Sequence, residues 1–309
     1  MEKALRKTAG ILMILIAVLL AFSCAAAEEA GTQYMENIWN FVDGSMDVSQ
    51  GIPQDAEGVL GLIRDRGVLR VATEPYFPPQ EFIDPALEGQ RQYVGADMEF
   101  ARLLAERMGV ELEIIPMEFT ELLNAVAEGV CDLAISGLAY TPARASAVEM
   151  TKGYHFSQGG TGCVLLIRID DAEDIMGIGD LATRKIVAQS GSLQEALSAQ
   201  NITVYREFQR LSSIQEVYTA VETGDADAAV VNMETAQAYI RNNRGSGLSL
   251  VTGVRFQQKD VLDGDRVAGK KGEFQLMYFV NGVIDELTAS GRYEQWFDEY
   301  SAYAALLGM

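Results

Sequence analysis

From Val68 onward the chain alternates short apolar runs with stretches whose apolar residues recur at helical spacing, and this alternation restricts the fold more than any other feature. VLRVAT (68–73) predicts a strand that a Pro-rich turn at 75–79 ends. Phe100, Leu103, Leu104 and Met108 predict one face of a helix over 97–108, stopped by Gly109. A strand is expected at 111–116. Phe119, Leu122, Leu123 and Val126 then predict a helix that ends at Gly129 and leads into a strand at 132–136. The second half repeats the theme with a strand at 185–189, a helix opened by the capping box Ser192 to Glu195, another opened by Ser213 to Glu216, a stop at Gly224 and a strand at 228–231. Such an order predicts parallel sheets covered by helices on both faces. AVAEGVCDLAI (125–135) and AVETGDADAAV (220–230) share Ala-Val, Gly, Asp and Ala at the same offsets, so two similar α/β lobes are expected. A helical tail over 274–307, with its aromatic residues at packing positions, is expected to rest on the first lobe.

The 309 residues are 49% hydrophobic, enough for a sizeable core and two ordinary domains. A net charge of -20 argues against a nucleic-acid or anionic-lipid surface. Lys3, Arg6 and Lys7 precede an apolar run over 11–22, which reads as an export signal ending near residue 27. Two processing routes fit it: a lipobox-like Leu20-Ala21-Phe22-Ser23 before Cys24, or cleavage after Ala25-Ala26-Ala27. Residues 28–58 read as a polar tether, with a short helix near 56–66 leading into the fold. Cys131 and Cys163 border apolar strand-like runs, and both a bridge and two buried thiols fit them. No cysteine or histidine spacing suggests a metal, no cofactor motif is present, and with His155 as the sole histidine triad chemistry is disfavoured.

DLAISGLAYTPAR (132–144) carries the clearest chemistry. An apolar strand runs into Ser136-Gly137, Thr141 caps a new helix, Pro142 fits its first position, and Arg144 stands in the first turn. A planar, always-charged fork beside the positive end of a helix dipole suits a carboxylate.

Four stretches, GVLRVATEPYFPPQEF, GADMEFARLLAERMGV, GVCDLAISGLAYTPAR and SGRYEQWF, resemble in order and spacing the type II periplasmic solute-binding proteins of family 3, the polar amino-acid group that serves ABC importers. The resemblance implies two α/β lobes, each a mostly parallel sheet flanked by helices, joined by two hinge strands and closing on a ligand. Lobe 1 is expected at 59–167 and 266–309, lobe 2 at 168–265, with crossings near 167–170 and 259–266. It further implies that Arg144 pairs with a ligand α-carboxylate in a loop completed by Ser136, Gly137 and Ala139. Phe77 and Phe119 would sandwich the ligand side chain, Ser192 and Leu193 would present helix N–H groups, and Glu74 would meet a polar or cationic side chain. Asn232 stands where the family has an Asp for the α-ammonium, which leaves Glu74 or Glu234 for that contact, or a ligand without the amine. The expected function is extracytoplasmic capture of a small polar solute, foremost an amino acid, by a monomer that delivers it to an ABC permease and meets the membrane only through its signal or lipid anchor. The rivals are a cyclohexadienyl or arogenate dehydratase on the same fold, with Glu74 or Glu234 as the acid, and a solute sensor.

Overall fold

The computed structural model describes residues 42–156, 162–256 and 264–309; the export segment, Cys24 and the first part of the expected tether lie outside them. Two five-stranded sheets organise the chain. The first contains β1 (Val68–Thr73), β5 (Glu111–Pro116), β6 (Leu133–Ala134), β7 (Val148–Met150) and β13 (Ala268–Lys270), in the order β5-β1-β6-β13-β7. The second contains β8 (Cys163–Arg168), β9 (Lys185–Gln189), β10 (Glu207–Leu211), β11 (Ala228–Asn232) and β12 (Leu248–Phe256), in the order β10-β9-β11-β8-β12. A small antiparallel sheet of β2 (Tyr76–Phe77), β3 (Glu81–Ile83) and β4 (Tyr93–Val94) follows β1. The helices are α1 (Gly58–Arg66), α2 (Ala96–Met108), α3 (Leu122–Ala127) and α4 (Pro142–Ala147) in the first lobe, α5 (Leu193–Asn201), α6 (Ile214–Thr223) and α7 (Met233–Asn242) in the second, then α8 (Phe274–Ser290) and α9 (Arg292–Leu307).

The lobes share one plan. β1 runs parallel to β5 and β6, and β9 runs parallel to β10 and β11. Beside β6 lies the antiparallel β13, and beside β11 the antiparallel β8. β13 arrives from lobe 2 and β8 from lobe 1, so the one reversed strand of each sheet marks a crossover. This moves the first hinge: β8 pairs along its length with β11 and β12, so 163–168 belong to lobe 2 and the crossing lies before Cys163 rather than at 167–170. Asp265, expected in lobe 2, is instead tied to lobe 1, donating its N–H to the His155 carbonyl at 2.9 Å while Arg266 donates to Leu138 at 2.9 Å.

The continuous apolar strands of lobe 2 are buried on both faces. Cys163, Leu165 and Ile167 pack into one cluster and Val164 and Leu166 into another, following the two-residue period of a strand. Ile214, Val217, Tyr218 and Val221 form the buried face of α6, and Gly224, at φ +82°, ends it in the left-handed conformation a side chain disfavours. Each such aliphatic side chain contributes on the order of 1.5–3 kcal/mol by leaving water.

The polar-tether expectation fails over 42–57. Val42, Val48, Ile52 and Ala56 are buried in the lobe 1 core with residues of α2 and α8. Its four acidic residues, Asp43, Asp47, Asp55 and Glu57, disguised this segment, whose apolar residues are few. Its anchor is Asn281, fully buried, whose amide donates to the carbonyls of Val42 and Gly44 at 2.8 Å each and accepts from the Lys152 N–H at 3.2 Å. The next residue, Gly282, leaves room for this backbone, since a Cβ there would lie 2.2 Å from the Met46 carbonyl oxygen. Replacing Asn281 with Ala orphans these backbone groups, so a loss of roughly 2–4 kcal/mol is expected in urea unfolding, with early proteolytic cleavage within 42–57; wild-type stability and cleavage would refute the anchor.

Candidate functional site

The carboxyl ends of the parallel strands in both sheets face one cleft. Glu74 follows β1, Phe119 follows β5, Ser136 follows β6, Gly191 and Ser192 follow β9, and Asn232 ends β11. Ligand sites gather at such strand ends, where loops and helix N-termini replace the ladder. The cleft holds two connected chambers that share Phe77, Phe119, Gly137 and Gln194. Ala139, Arg144, Leu193 and Asn232 line the first chamber with Gln80, His155, Glu234 and Asp265. Glu74, Ser136 and Ser192 line the second with Glu81 and Gln189.

Arg144 sits where local sequence places it. Thr141 Oγ1 accepts the Arg144 N–H at 3.2 Å and Pro142 opens the helix. Its guanidinium, 8% exposed, donates to the Ala139 carbonyl at 2.7 Å and, across the cleft, to the Gly191 carbonyl at 3.0 Å. It also lies over the Phe119 ring, 5.4 Å from the centroid. Among the described residues no carboxylate lies within ion-pair distance of it. Burial pulls its pKa down to about 10, against an opposing pull from Asp265, so it stays charged at neutral pH.

The loop before it is committed from behind. Gly137 was expected to offer its N–H to a ligand; it donates instead to Asp97 Oδ2 at 2.9 Å, because that buried carboxylate needs donors and also takes the Tyr154 and Tyr293 hydroxyls. Gly137 adopts φ +53°, and a Cβ there would press within 3.3 Å of the Phe77 ring. The Ser136 hydroxyl is likewise engaged, accepting from the Glu74 N–H at 3.0 Å and donating to Glu81 Oε1 at 2.9 Å. Burial, followed by the neighbouring Asp97 charge, lifts Glu81 well above the carboxylate range.

From lobe 2, Ser192 caps α5, accepting from the Glu195 N–H at 3.1 Å and donating to the Gln189 carbonyl at 2.7 Å. Glu195 takes the Gly191 N–H at 2.7 Å rather than that of Ser192, so the box predicted at this helix closes one residue early. Leu193 and Gln194, in the first turn, line the first chamber. Asn232 caps α7, its Oδ1 accepting from the N–H groups of Glu234 at 2.9 Å and Thr235 at 3.2 Å. Gln189 reaches across the lobes to Glu74 Oε1 at 2.9 Å, and Gln215 to the Tyr76 carbonyl at 2.6 Å. With the Arg144 bond to Gly191, these contacts describe lobes drawn together.

Sequence reasoning did not reach Gln80, Gln189, His155 or Asp265 as cleft residues. None sits in a periodic pattern, and Asp265 and His155 meet only because the two crossovers pair side by side. His155 stacks on Phe297 at 4.5 Å and shares a hydrogen with Glu294 at 3.1 Å. Burial pulls its pKa down, but Glu294, Asp265 and Glu234 outweigh this and raise it. Cys131 and Cys163 are free and buried, which settles the bridge question; burial pushes their thiols up to about 11 and about 12. Among the described residues no group of three or more His, Cys, Asp and Glu is placed to hold a metal ion, and no helix is long and apolar enough to cross a membrane.

Glu74 gives the cleft a measurable signature. It is 2% exposed, and burial raises its pKa to about 7 despite the Gln189 bond, with Glu118 adding to the rise. Between its unfolded pKa of 4.5 and about 7 the folded chain keeps a proton that the unfolded chain has lost, so stability falls as pH rises through this window, by up to ~3 kcal/mol. Glu74→Gln removes that loss. Urea unfolding should show the variant gaining on wild type between pH 4.5 and 8; an equal difference at both ends would overturn the assignment.

A family model of the bacterial extracellular solute-binding proteins, family 3, matches residues 69–302. The L-arginine-binding protein of Pseudomonas aeruginosa is 26% identical over 239 residues, covering 76% of this chain and 88% of that protein. The L-cystine-binding protein of Escherichia coli is 25% identical over 246 residues, covering 78% and 86%. Among solved structures, an amino acid ABC transporter substrate-binding protein from Streptococcus pneumoniae, bound to L-arginine, superimposes with a TM-score of 0.71 at 27% identity over 80% of this chain and 98% of that one. The match spans both lobes and the strand ends that line the cleft, and the chain belongs to the bacterial extracellular solute-binding proteins, family 3.

Proposed function

We propose that the chain is the substrate-binding component of an ABC importer and captures a free amino acid between its lobes, outside the cytoplasm, with Cys24 as the lipid anchor. The observation that carries this reading is Arg144: a charged guanidinium, nearly removed from water, whose bonds run to one carbonyl in each lobe and to no carboxylate among the described residues. An unpaired buried cation is costly, and a ligand carboxylate offsets that cost while replacing contacts that already bridge the lobes. Phe77 and Phe119 line both chambers, where the part of the ligand beyond its carboxylate would lie. Glu74, Ser192 and Gln189 form the far end and suit a polar or cationic side chain. The relatives named for L-arginine and L-cystine, and the neighbour holding L-arginine, support the same class of ligand.

A thermal-shift screen against free L-amino acids, followed by calorimetry, tests the reading. A ligand at a hundred times its Kd should stabilise the fold by about 2.7 kcal/mol. Arg144→Ala should weaken that ligand at least about 30-fold while the unliganded chain still unfolds cooperatively. Unchanged affinity in the variant would sink the site, and turnover of prephenate or arogenate by the wild-type chain would overturn the binding-protein reading.

A further inference from the structure

An amino acid brings a positive group beside its carboxylate, and the residue that the family resemblance offers for that group, Asn232, is poorly placed to take it. Its Oδ1 is occupied by the α7 N–H groups of Glu234 and Thr235, which leaves the amide's NH2 end. That end is a donor, as is an ammonium. Two carboxylates line the same chamber as Arg144: Glu234, from the first turn of α7, and Asp265, from the segment returning to lobe 1.

They differ in how they are held. Asp265 is fixed on both sides, its N–H on the His155 carbonyl at 2.9 Å and its carbonyl receiving the Tyr154 N–H at 2.9 Å, with isolated strand bridges to both His155 and Ala139. One carboxylate oxygen, Oδ2, accepts from Gln80 Nε2 at 2.8 Å. The other carries no bond among the described residues. Glu234 has no side-chain hydrogen bond or ion pair among the described residues, and it belongs to the opposite lobe.

Resting on the reading of this cleft as an amino-acid site, we infer that Asp265 is the acceptor for the ligand α-ammonium and so decides that the chain takes amino acids rather than simple carboxylic acids. Its position in the same chamber as Arg144 gives one rigid lobe both charges of a zwitterion. Burial lifts its pKa to about 6, His155 opposes that rise, and the carboxylate is therefore ionised at neutral pH. A charge-assisted bond from an ammonium then satisfies the free oxygen and compensates two buried charges together.

The test is calorimetry at pH 7.5 with L-arginine, L-histidine and L-glutamine, each beside its des-amino counterpart: guanidinovalerate, imidazolepropionate and glutaramate. Wild type should prefer the amino acid that it binds over the counterpart by about 10- to 100-fold. Asp265→Asn should erase most of that preference by weakening the amino acid alone, leaving the counterpart within about threefold. Glu234→Gln should keep it. A loss confined to Glu234→Gln, or an Asp265→Asn loss equal for both ligands, would overturn the assignment. If Asp265→Asn does not fold, the wild-type and Glu234→Gln preferences decide: the inference falls if wild type does not discriminate or if Glu234→Gln removes the discrimination. If wild type binds another L-amino acid in the thermal-shift screen, that amino acid and its des-amino counterpart take the place of these pairs; binding of no L-amino acid would overturn the amino-acid reading and this assignment with it, an outcome distinct from binding without dependence on Asp265.

Discussion

The desolvation of one guanidinium governs the arrangement of the cleft. Arg144 is held out of water by its own helix, by the Phe119 ring and by the edge of the opposing lobe, and its internal partners are neutral carbonyls. A neutral carbonyl offsets only part of the solvation a guanidinium gives up. The protein thus keeps a cation in a state that an anion relieves, and the relief is largest when the lobes meet and water is absent. Affinity and closure are coupled at this side chain, because its second carbonyl comes from Gly191 of lobe 2.

Behind that cation most of the polar groups are already engaged with one another. Asp97 gathers the hydroxyls of Tyr154 and Tyr293 and the Gly137 N–H, while Ser136 joins the Glu74 N–H to Glu81. Asp97 and its two tyrosines fix the loop from which Ala139 and Arg144 project, while Glu74 and Ser136 stay on the wall of the second chamber. Cross-strand geometry adds a second constraint, since each sheet has one strand reversed and that strand is the crossover. The crossover strands β8 and β13 therefore pair inside the sheets they enter.

Much of this was legible in the chain. Apolar strands, helical faces, glycine stops and caps are local signals, so β1, α2, β5, β9, α6 and β11 fell near their expected places, and Thr141-Pro142-x-Arg144 gave the orientation of the arginine. What sequence hid was pairing. Nothing in CVLLIR says that it runs antiparallel to AAVVN, so the first crossover was set several residues too late. Segment 42–57 read as a tether because its burial depends on Asn281 and Gly282, more than two hundred residues away. The N–H of Gly137 looked free because its acceptor, Asp97, comes from another helix. Side-chain roles that depend on a neighbour's neighbour are not local signals, and the cleft is made mostly of these.

The opposing jaws are correspondingly unequal. Lobe 1 supplies Arg144, the ring of Phe119 and the backbone-pinned Asp265, while lobe 2 supplies the first turns of two helices, α5 and α7. On the proposed assignment both formal charges sit on one body, so a zwitterion would be oriented by groups of a single lobe. Lobe 2 then adds neutral donors and the positive ends of helix dipoles, which favour the carboxylate over the ammonium. An acid at Asn232 would split the proposed charge pair across the two lobes; the amide there caps α7 instead, which on the proposed assignment leaves both charges to lobe 1.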